Sequence, residues 1–194
     1  PAAQQCLLPD SLMGDAMRFV ACHEIGHSLG LRHNMIASAA YPTDSLRSKT
    51  FTDKMNSTAS SIMDYARYNY VTQPGDGVTH LAPHIGPYDI FAIEFGYRWR
   101  DIQSPDEEKD AIYEFLSKHT GPLYRFADAQ SMREATDPRA MIEDLGDDNV
   151  KAARFGMANI KRIMPHIIEW TTTGEKGQTY MDAGRLYNAI IGQW

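Results

Sequence analysis

HEIGHSLGLRHN, residues His23 to Asn34, carries three histidines, a glutamate and a glycine at fixed offsets. His23 and His27 are four apart, so on an α-helix they lie one above the other on one face. Both imidazoles can then reach one cation, with Zn–N distances of about 2.0–2.1 Å. Glu24, beside the first ligand, can aim its carboxylate at a metal-bound water rather than at the metal. Gly30 suits the end of the helix, because it takes positive φ with no Cβ strain. That turn brings His33 back as a third ligand. Three protein ligands with one open position are the pattern of a catalytic zinc, not of a closed structural one. A helix with two core-facing histidines and a surface glutamate would account for the first five residues. It gives no reason for Gly30 and His33 at their offsets. One Zn2+ ion is therefore the expected cofactor.

The rest of the chain narrows the setting. At 194 residues it is long enough for one good core and a second small module. Hydrophobic content of 43% and charged content of 23% are those of an ordinary globular protein. The formal net charge is −6 and no basic stripe or arginine-rich run appears, which argues against nucleic acid as a partner. No apolar run approaches the length of a membrane span. The two cysteines, Cys6 and Cys22, make no disulfide framework. Cys22 precedes His23 and points about 100° away from the ligand face, so it reads as a small buried residue. The chain starts at Pro1 with neither initiator methionine nor signal peptide and stops at Trp194 inside a helical pattern. An excised piece of a longer protein is the expectation.

Working outward, the expected class is mainly α. A first helix should be capped by Asp10 or Ser11 and run to about Leu29. Its stripe Met13, Met17, Val20, Ile25 and Leu29 reads as core. Residues 34–60 read as a loop with at most short helical pieces, and 72–87 as a long irregular stretch of the kind usually pinned to a site. Pro87 opens a helix over residues 87–97. Ser104-Pro105-Asp106-Glu107 is a capping box, followed by Ala111, Ile112, Phe115 and Leu116 on one face. Thr120-Gly121-Pro122 stops that helix, and Leu123 to Phe126 suggests a short extended piece. A long helix is expected from Asp148 to about Met164, ended or kinked at Pro165. Tyr180, Ala183, Tyr187 and Ile190 mark a last one. Two units follow: a catalytic core over 1–97 and an α-helical extension over 98–194 packed on it.

Ser61-Ile62-Met63-Asp64-Tyr65, with Met63 standing 30 residues after His33, would alone be a strand or turn. Together with HExxHxxGxxH it resembles the metzincin clan of zinc endopeptidases, whose zinc motif is followed by a tight turn with a methionine beneath the metal. HEIGHSLGLRHN, SSIMDYARYNYVTQPGDGV, IGPYDIFAIEFGY and DLGDDNVKAARFGMANIKRI look like the Met-zincin catalytic domain of large bacterial secreted metalloproteases. The likeness spans most of residues 20–164.

The resemblance implies the C-terminal part of a zincin catalytic domain: zinc helix, Met-turn and a helical extension. His23, His27 and His33 match the metal ligands, Glu24 the general base, and Met63 the apolar floor under the histidine rings, with Gly30 supporting the turn. Tyr65 matches the tyrosine that steadies the tetrahedral intermediate. Ala66, Arg67 and Tyr68 are candidates for the wall of the primed-side pocket. The implied activity is hydrolysis of peptide bonds in a peptide or protein substrate, and the implied location is secreted, periplasmic or cell-surface. Metzincins also have an N-terminal twisted β-sheet subdomain whose edge strand pairs with extended substrate. Only 22 residues precede His23, too few to build it, so that subdomain is expected to be absent and to act as a partner. Asn34, after the third histidine, differs from the types common in the best-known branches, so no substrate class is carried over.

Other candidates have plainer readings. His80 and His84 are four apart, but Pro83 between them defeats a same-face helix, so they read as loop histidines. His119 and His166 read as isolated surface or helix-end residues. Asp144, Asp147 and Asp148 do not match a calcium loop and read as caps for the following helix. Asp89 reads as a favourable first-turn carboxylate, and Asp64 as a residue fixing the turn backbone rather than a zinc histidine. The alternative to an enzyme is a non-catalytic, zinc-stabilised binding or docking module of a larger secreted protein. Glu24 and Tyr65 weigh against it, since a structural zinc needs neither.

Overall fold

The structure, a computed structural model, describes residues 9–128 and 137–193. The lead-in over residues 1–8, with Cys6, lies outside them. Among the described residues the chain is helical, with no β-strand.

Helix α1 spans Asp10–Ser28. Pro9, not Asp10 or Ser11, holds the capping position, and Asp10 sits in the first turn, where its charge faces the positive helix end. The other end closes as a Schellman turn. Gly30 takes φ +83°, its N–H donates to His27 O at 2.9 Å, and Leu31 N–H donates to Gly26 O at 3.0 Å. The stripe expected in the core is on the outside: Met17 is 70% exposed, Val20 54% and Ile25 56%. The buried face of α1 carries His23 and Gly26 instead. Periodicity identifies an apolar face, not what covers it.

After α1 the chain folds through single 3-10 turns at Ser38–Ala40 and Ser45–Arg47 into α2, Lys49–Met55, capped by Ser48. The main core gathers Ala37, Tyr41, Leu46, Ala59, Ala66 and Val71 with Leu145 and Ala152 from far along the chain. The irregular 72–87 stretch is pinned at two points. Asp76 takes a two-pronged ion pair from Arg47, and His84 Nε2 lies 2.9 Å from Asp15 of α1.

Helix α3, Pro87–Tyr97, starts with proline at its first position. Its N-terminus is pressed against the backbone of Ser60, so closely that a Cβ on Gly86 would overlap the Ser60 carbonyl. Tyr88 N–H donates to that same carbonyl at 2.9 Å. Helix α4, Pro105–Ser117, is capped by Ser104. It packs on α3 through rings: Phe91 and Phe115 stack at 5.6 Å, and His119 lies 4.3 Å from Phe115 and 5.1 Å from Tyr124. His119 thus belongs to an aromatic cluster rather than standing isolated at the surface. Pro122–Tyr124 form a 3-10 turn, and the backbone extends only from Arg125, because proline at the first position of the turn favours helical φ.

Asp148 caps α5, Asn149–Ile163. Pro165 kinks the chain through a 3-10 turn, Met164–His166, into the short α6, Ile167–Thr171. With α7, Met181–Gln193, these elements bury Ile160, Ile167, Ala183 and Ile190 in a second, smaller core.

Candidate active site

The end of α1 and the turn after it bring His23, His27 and His33 together, with one ligand atom from each within 4.8 Å of the others. His27 Nε2 and His33 Nε2 are 3.0 Å apart. Tetrahedral coordination by imidazole nitrogens would separate them by about 3.3 Å. His23 Nδ1 lies 2.8 Å from Ile62 O and His27 Nδ1 lies 2.9 Å from Leu31 O. A carbonyl can only accept, so both Nδ1 atoms carry a proton, which in the neutral imidazole leaves the lone pair on Nε2, the atom that would ligate. His33 is held below the usual histidine pKa by burial, then by His27 and His23, with Glu24 pulling the other way. A neutral imidazole is the ligating form. The donor set therefore fits zinc. Among the described residues no other group of three or more His, Cys, Asp or Glu side chains is placed to hold an ion; His80 and His84 instead lie near Asp53 and Asp15.

The turn Ser61–Tyr65 is clamped to the ligand segments at both carbonyls around Met63. His23 holds Ile62 O, and Asn34 N–H, next to His33, donates to Met63 O at 3.0 Å. Met63 is fully buried. Its thioether fills the space where a Cβ on Gly26 would stand, which is why α1 carries glycine between its two histidines. The Tyr65 ring covers the histidines, with centroids 5.5 Å from His23 and 4.5 Å from His33. It stays 41% exposed and so remains open to a substrate. Glu24 is exposed on α1.

The residues after Tyr65 diverge. Ala66 is buried in the main core, so its side chain walls no pocket. Arg67 and Tyr68 are exposed, and Arg67 pairs with Glu143. Glu143 takes φ +65°, and its N–H donates to Tyr65 O at 3.1 Å. Asn34 is wholly buried: its amide donates to Arg125 O and accepts from Ala127 N–H, docking the 125–127 segment beside the third histidine.

Two buried aspartates flank the turn. Asp64 accepts from Ser38 N–H at 2.6 Å, and Asp144 accepts from the hydroxyl of the same Ser38 at 2.8 Å. Asp64 thus fixes backbone. Asp89, expected to serve the dipole of α3, does more. One oxygen accepts from Ile62 N–H and Gly86 N–H at 2.8 Å each, the other from Ser61 Oγ at 2.6 Å. Burial pushes its pKa up against those three hydrogen bonds and the charge of His23. Neither Asp89 nor Gly26 was signalled by sequence as a site residue. The one available hint was that both sit inside conspicuous motifs, IGPYD and HEIGH.

A family model described as Met-zincin matches residues 7–194. No curated protein and no solved structure matches the chain.

Proposed function

The chain belongs to the Met-zincin family of metzincin-type zinc metalloprotease domains, and we propose that it is an endopeptidase whose chemistry is centred on His23, His27 and His33. Zinc bound by those residues supplies Lewis acidity that lowers the pKa of a water and polarises the scissile carbonyl. Glu24 accepts a proton from the attacking water at its carboxylate and delivers it to the leaving amine. Tyr65 donates a hydrogen bond to the oxyanion as it develops. Arg67 and Tyr68 border the substrate on the primed side.

The observation that carries this reading is the convergence of three imidazoles, two of them with their Nδ1 protons committed to carbonyls, under a half-exposed tyrosine. A structural zinc has no use for that tyrosine or for Glu24. We infer further that a separate β-subdomain covers the exposed side of α1 and completes the cleft, since Met13, Met17, Val20 and Ile25 stay exposed there among the described residues. The family likeness favours a secreted, periplasmic or cell-surface protein. No described helix is long and apolar enough to cross a membrane.

Metal analysis of this chain tests the centre, and cleavage of a casein-type substrate by the chain with that β-subdomain in place tests the chemistry. One zinc per folded chain is expected, lost on His33→Ala. Glu24→Ala should keep the zinc and lose cleavage by a factor of at least about 100. A folded, zinc-free wild type at neutral pH would defeat the proposal.

A further inference from the structure

We propose that Asp89 is a positioning residue for the metal centre, acting on His23 through Ser61 and the Ile62–Met63 peptide. The inference rests on the zinc reading above and concerns a residue 66 positions beyond the ligand it serves.

The hydrogen bonds form one directed chain. His23 Nδ1–H donates to Ile62 O at 2.8 Å. Across that same peptide, Met63 N–H donates to Ser61 Oγ at 3.0 Å. Ser61 then donates its only proton to Asp89 Oδ1 at 2.6 Å. The carbonyl and the amide N–H fix the first two directions, and the third is that of an ionised Asp89. An amide N–H can only donate, so Ser61 Oγ must accept there and has one proton left to give. The second oxygen of Asp89 accepts two backbone N–H groups, so both oxygens are acceptors, the pattern of an ionised carboxylate.

The arrangement is a carboxylate–histidine pair with a peptide and a hydroxyl inserted between its ends. Directed hydrogen bonds polarise one another in the same sense. A negative charge at Asp89 therefore makes the Ile62 carbonyl a stronger acceptor, which fixes the His23 ring and raises the basicity of its Nε2. All members are buried: His23 is 5% exposed, Ser61 and Met63 0% and Asp89 3%. His27 has a shorter arrangement, a single bond to Leu31 O on a partly exposed ring.

A purely structural Asp89 would serve only the cap of α3 and the Ile62 N–H. Asp89→Asn separates the two roles. The variant's amide oxygen can still accept from Gly86 and Ile62, while its NH2 faces Ser61 and reverses the last bond. Ser61→Ala breaks the chain and leaves the cap untouched. Zinc affinity is to be measured by chelator competition on folded protein, with the visible spectrum of the cobalt-substituted chain and the melting of the metal-free chain alongside. The expected result is a loss of about 10-fold or more in zinc affinity in both variants, with shifted cobalt bands and folded metal-free protein. Should Asp89→Asn fail to fold, Ser61→Ala decides alone. Wild-type affinity and an unchanged cobalt spectrum in folded Ser61→Ala would overturn the proposal. A wild type that binds no zinc would instead overturn the centre itself.

Discussion

Asp144→Asn should stabilise this protein at alkaline pH and not at acid pH. Asp144 is 6% exposed, and its carboxyl is pushed up from 3.8 to about 6 by burial, against hydrogen bonds from Ser38, its own backbone and Asn149. Asp64, fully buried across Ser38, is raised well above its ordinary value by burial and then by the charge of Asp144. Among the described residues, one oxygen on each carboxylate, Asp64 Oδ1 and Asp144 Oδ2, has no well-formed hydrogen bond. The native Asp144 holds its proton to higher pH than the unfolded chain does, so between about pH 4 and pH 6 the native state binds more protons. Stability therefore falls as pH rises through that window and stays lower above it. A rise of about two pKa units is worth about 3 kcal/mol. An amide accepts from Ser38 through its oxygen and puts a donor where the carboxylate has an unpartnered acceptor. Weakening the Ser38 bond to a neutral acceptor costs about 1 kcal/mol and burying the NH2 about 1 kcal/mol more, which leaves a net gain of about 1 kcal/mol at pH 8. Urea unfolding of wild type and variant from pH 4 to 8 reads this directly. Taking the difference between the two cancels the titration of the histidines and any metal linkage. A difference that stays constant across that range would refute the reasoning.

Two further substitutions test the packing around the site. Gly86→Ala drives a methyl into the Ser60 carbonyl and should cost about 1–3 kcal/mol by thermal melting; an unchanged melting temperature would show that α3 does not press on the turn. Val20→Glu, on the exposed stripe of α1, should change urea-unfolding stability by less than about 0.5 kcal/mol, whereas a loss of several kcal/mol would return that stripe to the core.

What was legible in the sequence was what local spacing encodes. The offsets of His23, His27, Gly30 and His33 are those of a helix that ends in a left-handed glycine, and the structure closes that way. Pro87 and Ser104-Pro105 mark helix starts through proline's fixed φ and a side-chain cap, both local causes. The capping box at Ser104 even forms with a variation: Glu107 reaches back to the N–H of Gln103 rather than of Ser104. What stayed hidden depends on approach between distant segments. The α1 stripe looked like core because a sequence cannot say which neighbour is present. The sequence pattern ties Asp89 to the first turn of α3, and only the contact of Gly86 with Ser60 carries it into the Met63 turn. Gly26 is explained by Met63, 37 residues away.

The two aspartates divide the Met63 turn into halves of different stiffness. On the ligand side, Asp89 has all its accepted hydrogen bonds in place, Ile62 and Met63 each have both backbone groups bonded, and the His23 ring is held by one of them. A segment so saturated has one arrangement, as a metal centre requires if its ligands are to be in place before the ion arrives. On the far side, Asp64 and Asp144 crowd two carboxyls around one serine with an acceptor left over on each. The backbone there reaches Tyr65 and then Glu143, whose left-handed φ stores strain. In the proposed mechanism Tyr65 is the residue that meets substrate, and it hangs from the half whose restraints are incomplete. Charge at the Asp64–Asp144 pair should then loosen the tyrosine before it disturbs the histidines. In the proposed mechanism, titration of Asp144 would act on turnover through Tyr65, separately from the histidine protonation that sets zinc affinity over the same pH range.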